Sequence, residues 1–557
     1  MSERQRGHTA GHAADPDGIY LGLDLGTSGL KGIALGPSGQ VLARASAAYP
    51  TSRPGPGAAE QEPRDWISAV EQAAAQLATE APASRWRAIG LSAMIPTLVT
   101  AGSDGEPVGQ AITWEDSRAE PQADRMRQAY GAAVDRLGGQ ALYEITGQWV
   151  DGRYLLPMFL RLVEDDPVRA AQTVTLLSAK DYLFGWLTGR QATDPSTATG
   201  FGCLTLQTSQ WDAGALRAAA SVASGAADAS GASAASTADS AADSAADSAA
   251  PGRKGVLPAL PPVLPATSTR PLRAELAAGF GCDQIPVCLG AADSVLGALG
   301  LGARSPGQIA YVAGTSTVIL GLADKPLLDP HRRFLVTPLA EPGLWGLEMD
   351  LLATGSALRW LANLLGGGLD EADVIALAAQ VDPARAPVVL PYLSPGEQGA
   401  LWDPALHGTI TGLTLAHDRR HLARGLVNGI ILESRRCLAV LDETATFAAE
   451  LLAAGGSAAE PSFRADLASA TGRRVIVPGD SGTDHSARGA ALLATQAISL
   501  SPPRDQPEPR PRPSQPDRHG SSVDWNGLWT AHENARRALT TAKRWQPVTD
   551  PERPSSD

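Results

Sequence analysis

Short apolar runs alternate with longer segments of helical period along most of the chain. Residues 18–25 form an apolar run, and 31–35 and 41–47 continue as strands, with Gly36-Pro37-Ser38-Gly39 supplying a turn. The three predict a meander rather than a strand–helix–strand start. Residues 309–312 and 317–322 flank Gly314-Thr315-Ser316 in the same manner. Over 421–441, Leu426, Ile430, Cys437 and Leu441, with Val427, Ile431 and Leu438 beside them, fall on one helical stripe and predict a core helix. An apolar run at 451–454, a helix over 461–470, a strand at 474–477 and a helix through Leu493 follow. Strands and helices in alternation predict an α/β fold.

Two segments break this texture. From Ala218 to Gly255 the chain is almost all Ala, Ser, Asp and Gly, too poor in apolar area to offset the entropy of ordering it, and a disordered insertion over 218–255 is expected. Residues 499–523, rich in Pro and Arg, read as a linker, followed by a helix over 524–546 and a disordered tail over 547–557. Residues 1–17 read as a disordered leader, with His8 and His12 lacking any further metal ligand nearby.

The length, 557 residues, implies two or more cores, which argues against a small one-domain binding module. A net charge of −13 argues against a nucleic-acid or acidic-membrane partner. The four cysteines, Cys203, Cys282, Cys288 and Cys437, have no zinc-site spacing and fit a reduced cytoplasm. No stretch reaches the ~20 apolar residues of a membrane span, and the N-terminus lacks the apolar core of a signal peptide.

Candidate chemistry begins at Asp24, which precedes Gly26-Thr27-Ser28-Gly29 and Lys31. A strand ending in a carboxylate, then a glycine-bounded turn with two hydroxyls, offers amides for phosphate and an acid for Mg²⁺. Taken alone, the same residues also make a hairpin turn. Recurrence of the turn at Gly314-Thr315-Ser316 suggests two loops that clasp a polyphosphate. Neither a P-loop nor a G-x-G-x-x-G run competes for the nucleotide. Gly455-Gly456-Ser457 reads either as a helix-capping loop or as a place where a base or ribose approaches the backbone. Asp293, in a small apolar surround ahead of the second turn, is the candidate base toward a substrate hydroxyl, although an acid there is also an ordinary N-cap. Gly479-Asp480-Ser481-Gly482, with His485 nearby, has the look of a serine-hydrolase motif, but a turn with helix capping accounts for it.

Taken together, GLDLGTSGLKGIAL at 22–35, EQEPRDW at 60–66, IGLSAM at 89–94 and ITWEDSRA at 112–119 resemble the FGGY carbohydrate kinases. The same holds for SAKDYLFGWLTGRQATDPSTATG at 178–200, LGAADSVLGALG at 289–300, AGTST at 313–317, PYLSPGEQGALWDP at 391–404, GGSAAEPSF at 455–463 and RGAALLA at 488–494. The resemblance implies two actin-like (ribonuclease H-like) domains: an N-terminal sugar-binding domain over 18–303 and a C-terminal nucleotide-binding domain over 304–498. It implies ATP and Mg²⁺ as cofactors, with phosphate loops at Gly26, Thr27, Ser28 and Lys31 and at Gly314, Thr315 and Ser316. Gly455, Gly456 and Ser457 would be the adenosine loop. Asp24 would organise the metal and Asp293 would be the catalytic base, with Met94, Trp114, Glu115, Asp116 and Arg118 near the sugar. The expected partners are a small sugar and ATP, and a homodimer is one assembly left open. Against xylulokinase-type relatives, Ile95 replaces a histidine after Met94, Ser294 replaces Asn or Gln after Asp293, and Ala465 and Ser469 depart in the adenosine segment. The expected acceptor is a ketopentose such as D-xylulose, with gluconate or a polyol as the second choice. A non-catalytic sugar or nucleotide sensor is the alternative of another class.

Overall fold

The computed structural model describes residues 17–134, 138–225, 256–394, 399–403, 406–478, 484–499, 512–513 and 523–541. The expectations for the leader, for most of the insertion, for most of the linker and for the tail therefore lie outside the described residues, as does Ser481.

A six-stranded sheet has the spatial order Val41–Ala48, Gly29–Leu35, Ile19–Leu25, Trp86–Ala93, Pro286–Ala292, Thr269–Pro271. Its first three strands are the expected antiparallel meander, closed at Gly36–Gly39 by a 2.9 Å amide-to-carbonyl bond. Ile19–Leu25, Trp86–Ala93 and Pro286–Ala292 then run parallel. All seven residues of Ile19–Leu25 are buried, as a strand covered on both faces requires. Helix Pro63–Glu80 covers one face through Trp66, Val70, Ala73 and Leu77. Helix His485–Ile498 covers the other so closely that a Cβ on Gly22 or Gly90 would lie 1.8 Å from the Ala487 carbonyl oxygen or 2.0 Å from that of Ala490.

A second, seven-stranded sheet has the order Leu335–Pro338, Trp345–Leu351, Thr317–Ala323, Ile309–Ala313, Glu450–Gly455, Arg474–Val477, Arg512–Pro513. The predicted core helix runs Arg419–Thr444 and opens on Asp418 in a capping box. Helix Trp525–Thr541 closes the described chain. No helix among the described residues is long and apolar enough to cross a membrane.

The chain divides into two compact units, residues 1–310 with 320–348 and 482–510, and residues 311–319 with 349–481 and 511–557. This departs from a contiguous cut between 303 and 304, because helix His485–Ile498 packs on the first sheet and against helix Asp293–Leu301. The low-complexity segment also begins later than expected. Helix Ala213–Ala223, capped by Asp212, buries Ala215, Ala218, Ala219 and Val222 beside Met126 and Tyr130, so residues 218–223 are ordered by small side chains that permit close packing.

Candidate active site

The parallel strands of the first sheet end at one edge. Asp24 stands level with Ser92 and Ala291, and Leu25 with Ala93 and Ala292. Asp293, the first residue of helix Asp293–Leu301, follows at once. Asp24 and Asp293 thus leave the same edge with one strand between them, their backbones roughly 10 Å apart at the usual strand spacing. Open α/β sheets gather ligands at such C-terminal edges.

Asp24 is buried, and its Oδ1 accepts a 2.6 Å hydrogen bond from the Ser92 hydroxyl. Burial and the nearby Asp484 carboxylate push it up to about 7, against the opposing pull of Ser92 and Lys31. Lys31 Nζ meets Asp484 Oδ2 at 2.9 Å. Asp484 also caps helix His485–Ile498, accepting from the Ala487 amide, so the turn-and-cap reading of this segment holds for its described part. Between Asp24 and Lys31 the chain turns tightly, with the Gly26 amide donating to the Gly29 carbonyl at 3.1 Å. The turn is braced from outside: the Tyr49 hydroxyl donates to the Gly26 carbonyl, Gln61 Nε2 to the Thr27 carbonyl at 2.7 Å, and Trp114 Nε1 to Thr27 Oγ1 at 3.0 Å.

Met94 is buried, its amide bonded to the Leu25 carbonyl at 2.9 Å. Trp114 therefore joins the expected sugar residues to the first turn. Glu115 pairs with Arg53 at 2.9 Å. Asp116 is buried, and its oxygens accept from the Ala59 amide and from Arg118, whose guanidinium also reaches Glu60. Asp293 is not the N-cap of its helix. Ala292 holds that position without a side-chain bond, and the Ser486 hydroxyl donates to the Asp293 carbonyl at 2.9 Å.

In the second unit, the Gly314 amide donates to the Ser316 carbonyl at 2.8 Å, and the Ser356 amide to the Thr315 carbonyl at 2.9 Å. Gly455 has φ +97° and a Cβ there would lie 1.9 Å from the Ala313 carbonyl oxygen, so the expected adenosine glycines abut the second turn. Gly455 also precedes the short helix Gly456–Ala459, which makes it the capping residue of the alternative reading as well.

Sequence reasoning missed Ser92, Tyr49, Asp484 and Ser486. Asp484 carried a faint signal, an acid between a strand and a helix. The others have none, since their partners are distant in sequence. For Mg²⁺, the described residues contain no cluster of three or more acidic, His or Cys ligands. A carboxylate raised by burial and by a neighbouring acid fits an ion that is held by one or two carboxylates and completes its shell with water and phosphate oxygens.

The N-terminal and C-terminal domain models of the FGGY family of carbohydrate kinases match residues 19–224 and 309–498. The chain is 28% identical over 492 residues to a gluconokinase of Bacillus licheniformis, covering 86% of this chain and 87% of that one. It is 28% identical over 484 residues to a xylulose kinase of Escherichia coli, covering 86% and 90%. The structure of a xylulose kinase from Rhodospirillum rubrum superposes with a TM-score of 0.75 at 26% identity, covering 94% of this chain and 99% of that one. With both domain models matched in order and the mixed sheets of the actin-like fold in place, this chain belongs to the FGGY family of carbohydrate kinases, phosphotransferases that act on an alcohol group.

Proposed function

We propose that this protein transfers the γ-phosphoryl group of ATP to a hydroxyl of a small sugar, a ketopentose such as D-xylulose, in the cytoplasm. The observation that carries the reading is the common strand edge from which Asp24 and Asp293 emerge, with the braced Gly26–Ser28 turn beside them. Asp293 accepts the proton of the attacking hydroxyl, whose oxygen forms a bond to the γ-phosphorus as the bond to the β–γ bridging oxygen breaks and ADP leaves. The amides and hydroxyls of Gly26, Thr27 and Ser28 and of Gly314, Thr315 and Ser316, with Lys31, orient the phosphates, while Gly455, Gly456 and Ser457 bound the adenosine. Mg²⁺, when bound near Asp24, supplies Lewis-acid stabilisation of phosphate charge. Met94, Trp114, Glu115, Asp116 and Arg118 shape the sugar pocket, Asp116 by holding Arg118. Four free cysteines agree with a reducing compartment.

Gluconate or a polyol is the second acceptor class, and one observation favours it. Ile95 packs against the cluster of Ala291, Ala292 and Val295, so the position after Met94 offers alkyl surface and no hydrogen bond. ADP release with Mg²⁺-ATP across D-xylulose, D-ribulose, L-ribulose, gluconate, glycerol, erythritol and pentitols decides between them. In Asp293→Ala, kcat on the best acceptor is expected to fall about 10²- to 10⁴-fold with smaller effects on binding. Near-normal turnover in that variant would remove Asp293 from the chemistry.

A further inference from the structure

The strand that delivers Asp293 is irregular just before it arrives. Pairing of Pro286–Ala292 with Trp86–Ala93 changes register between Cys288 and Ala291. Gly290, at the break, has φ +79°, and a Cβ there would lie 1.7 Å from the Leu91 carbonyl oxygen. Backbone groups that leave a regular ladder need partners elsewhere. Some come from neighbouring backbone: the Leu289 amide donates to Ser268 and the Gly290 amide to Ala266. The rest come from side chains. Lys180 Nζ donates to the Leu289 carbonyl at 3.2 Å, and the Ser196 hydroxyl accepts from the Ala292 amide at 3.0 Å.

Those two side chains are joined through Asp194. The Ser196 hydroxyl donates to Asp194 Oδ2 at 2.5 Å, and Asp194 Oδ1 lies 3.1 Å from Lys180 Nζ, which also sits 3.2 Å from Asp181 Oδ1. The side chains of Lys180, Asp181 and Asp194 are 0%, 0% and 1% exposed. Asp181 has a local reason to be there, the capping box of helix Ala179–Thr188. Asp194 caps the short helix Pro195–Ala198, its Oδ2 accepting from the Ser196 amide at 2.9 Å, but that cap does not call for a buried lysine beside it, and Lys180 caps nothing, although burying such charges costs more than apolar packing of equal volume. Their geometry does have a reason at the next step. By accepting the hydrogen bond of the Ser196 hydroxyl, Asp194 turns that oxygen's lone pairs toward the Ala292 amide, and Lys180 neutralises Asp194 while pinning the carbonyl on the other side of the Gly290 break.

We propose that Lys180, Asp194 and Ser196 are positioning residues for Asp293, fixing the irregular backbone from which it projects. This rests on Asp293 being the base. The test compares Ser196→Ala, Ser196→Thr and Asp293→Asn on the full chain. Ser196→Ala is expected to lower kcat about 10- to 100-fold, the scale of a small misplacement, with both KM values within about 2-fold. Ser196→Thr, which keeps the hydroxyl, restores most of the loss. Hydrogen exchange in the peptide covering 288–294 should quicken in Ser196→Ala alone. A merely structural role would lower the melting temperature and leave kcat untouched well below it, and that result overturns the proposal. So does rapid exchange of the Ala292 amide in the unaltered protein, a measurement independent of whether any variant folds. Asp293→Asn separates the two readings: if it is inactive while Ser196→Ala is normal, only the positioning network fails, whereas an active Asp293→Asn sinks the base assignment itself.

Discussion

Gly455 and Gly456 are neighbours with opposite demands. At Gly455 a side chain would meet the Ala313 carbonyl in a backbone conformation that L-residues avoid, while at Gly456 nothing lies within 4 Å. Gly455→Ala is therefore expected to cost about 3 kcal/mol, from strain and overlap together, and to raise the KM for ATP, whereas Gly456→Ala leaves stability nearly unchanged. Thermal melts and ATP titrations of the two variants check this, and equal behaviour would contradict it. Trp114→Phe should remove the bond to Thr27, at about 1 kcal/mol. The strand-edge positions of Asp24 and Asp293 were legible in the sequence because a strand end announces itself locally, by an acid in or just after the last residues of an apolar run. Ser196 was not, and Asp484 only faintly, because each has a partner remote in sequence: Lys31 and Asp484 are 453 residues apart. A serine inside DPSTATG gives no hint that its hydroxyl serves an amide 96 positions away.

Among the elements, helix Trp525–Thr541 shows how a correct local reading can miss its partner. Its helical period was legible after the linker, and the apolar stripe of Arg419–Thr444 was legible too, but nothing in either pattern says that the two meet. They meet through polar groups. His532 Nε2 lies 2.7 Å from Glu433 Oε1, Tyr392 donates to the same oxygen at 2.7 Å, Arg436 bridges Glu433 and Glu533, and Arg436 stacks 4.7 Å over Trp529. Ala535 and Leu539 cover Leu390, Tyr392 and Leu406 beside them. Burial alone would push Glu433 up, yet the His532 and Arg436 donors outweigh it and hold the carboxyl down at about 2, against an ordinary 4.5. A folded value below the unfolded one means that the stabilisation is complete above about pH 4.5 and is lost as the pH falls toward 2. Hydrogen exchange over 525–541 should accordingly lose protection in that window. Glu433→Gln should destabilise this unit by about 3 kcal/mol at pH 7, since it leaves Arg436 partly unpaired in a buried site, and should flatten the acid limb. An acid limb of unchanged depth in Glu433→Gln would assign it to other groups.

At the scale of the whole molecule, the family and its fold were legible because ten short motifs that resemble the family stand in order along the chain, although overall identity to the gluconokinase and the xylulose kinase is only 28%. The division into units was less so, since chain order is a poor guide to which helix covers which sheet. Glycines 22 and 90 are bare because the backbone of helix His485–Ile498 lies against them. At ordinary rates of protein synthesis, roughly 5–20 residues per second, the first strands wait about half a minute to a minute and a half for that helix to be made. During that interval the sheet presents an apolar face with no cover of its own, and a chain halted near residue 480 should accumulate as aggregate rather than as a folded first unit. Recovery of soluble, protease-resistant material from such a truncation would show that the face is covered some other way. The same timing makes yield sensitive to the ribosome: rare codons placed between the two halves should lengthen the wait and lower the folded fraction without altering a single amino acid.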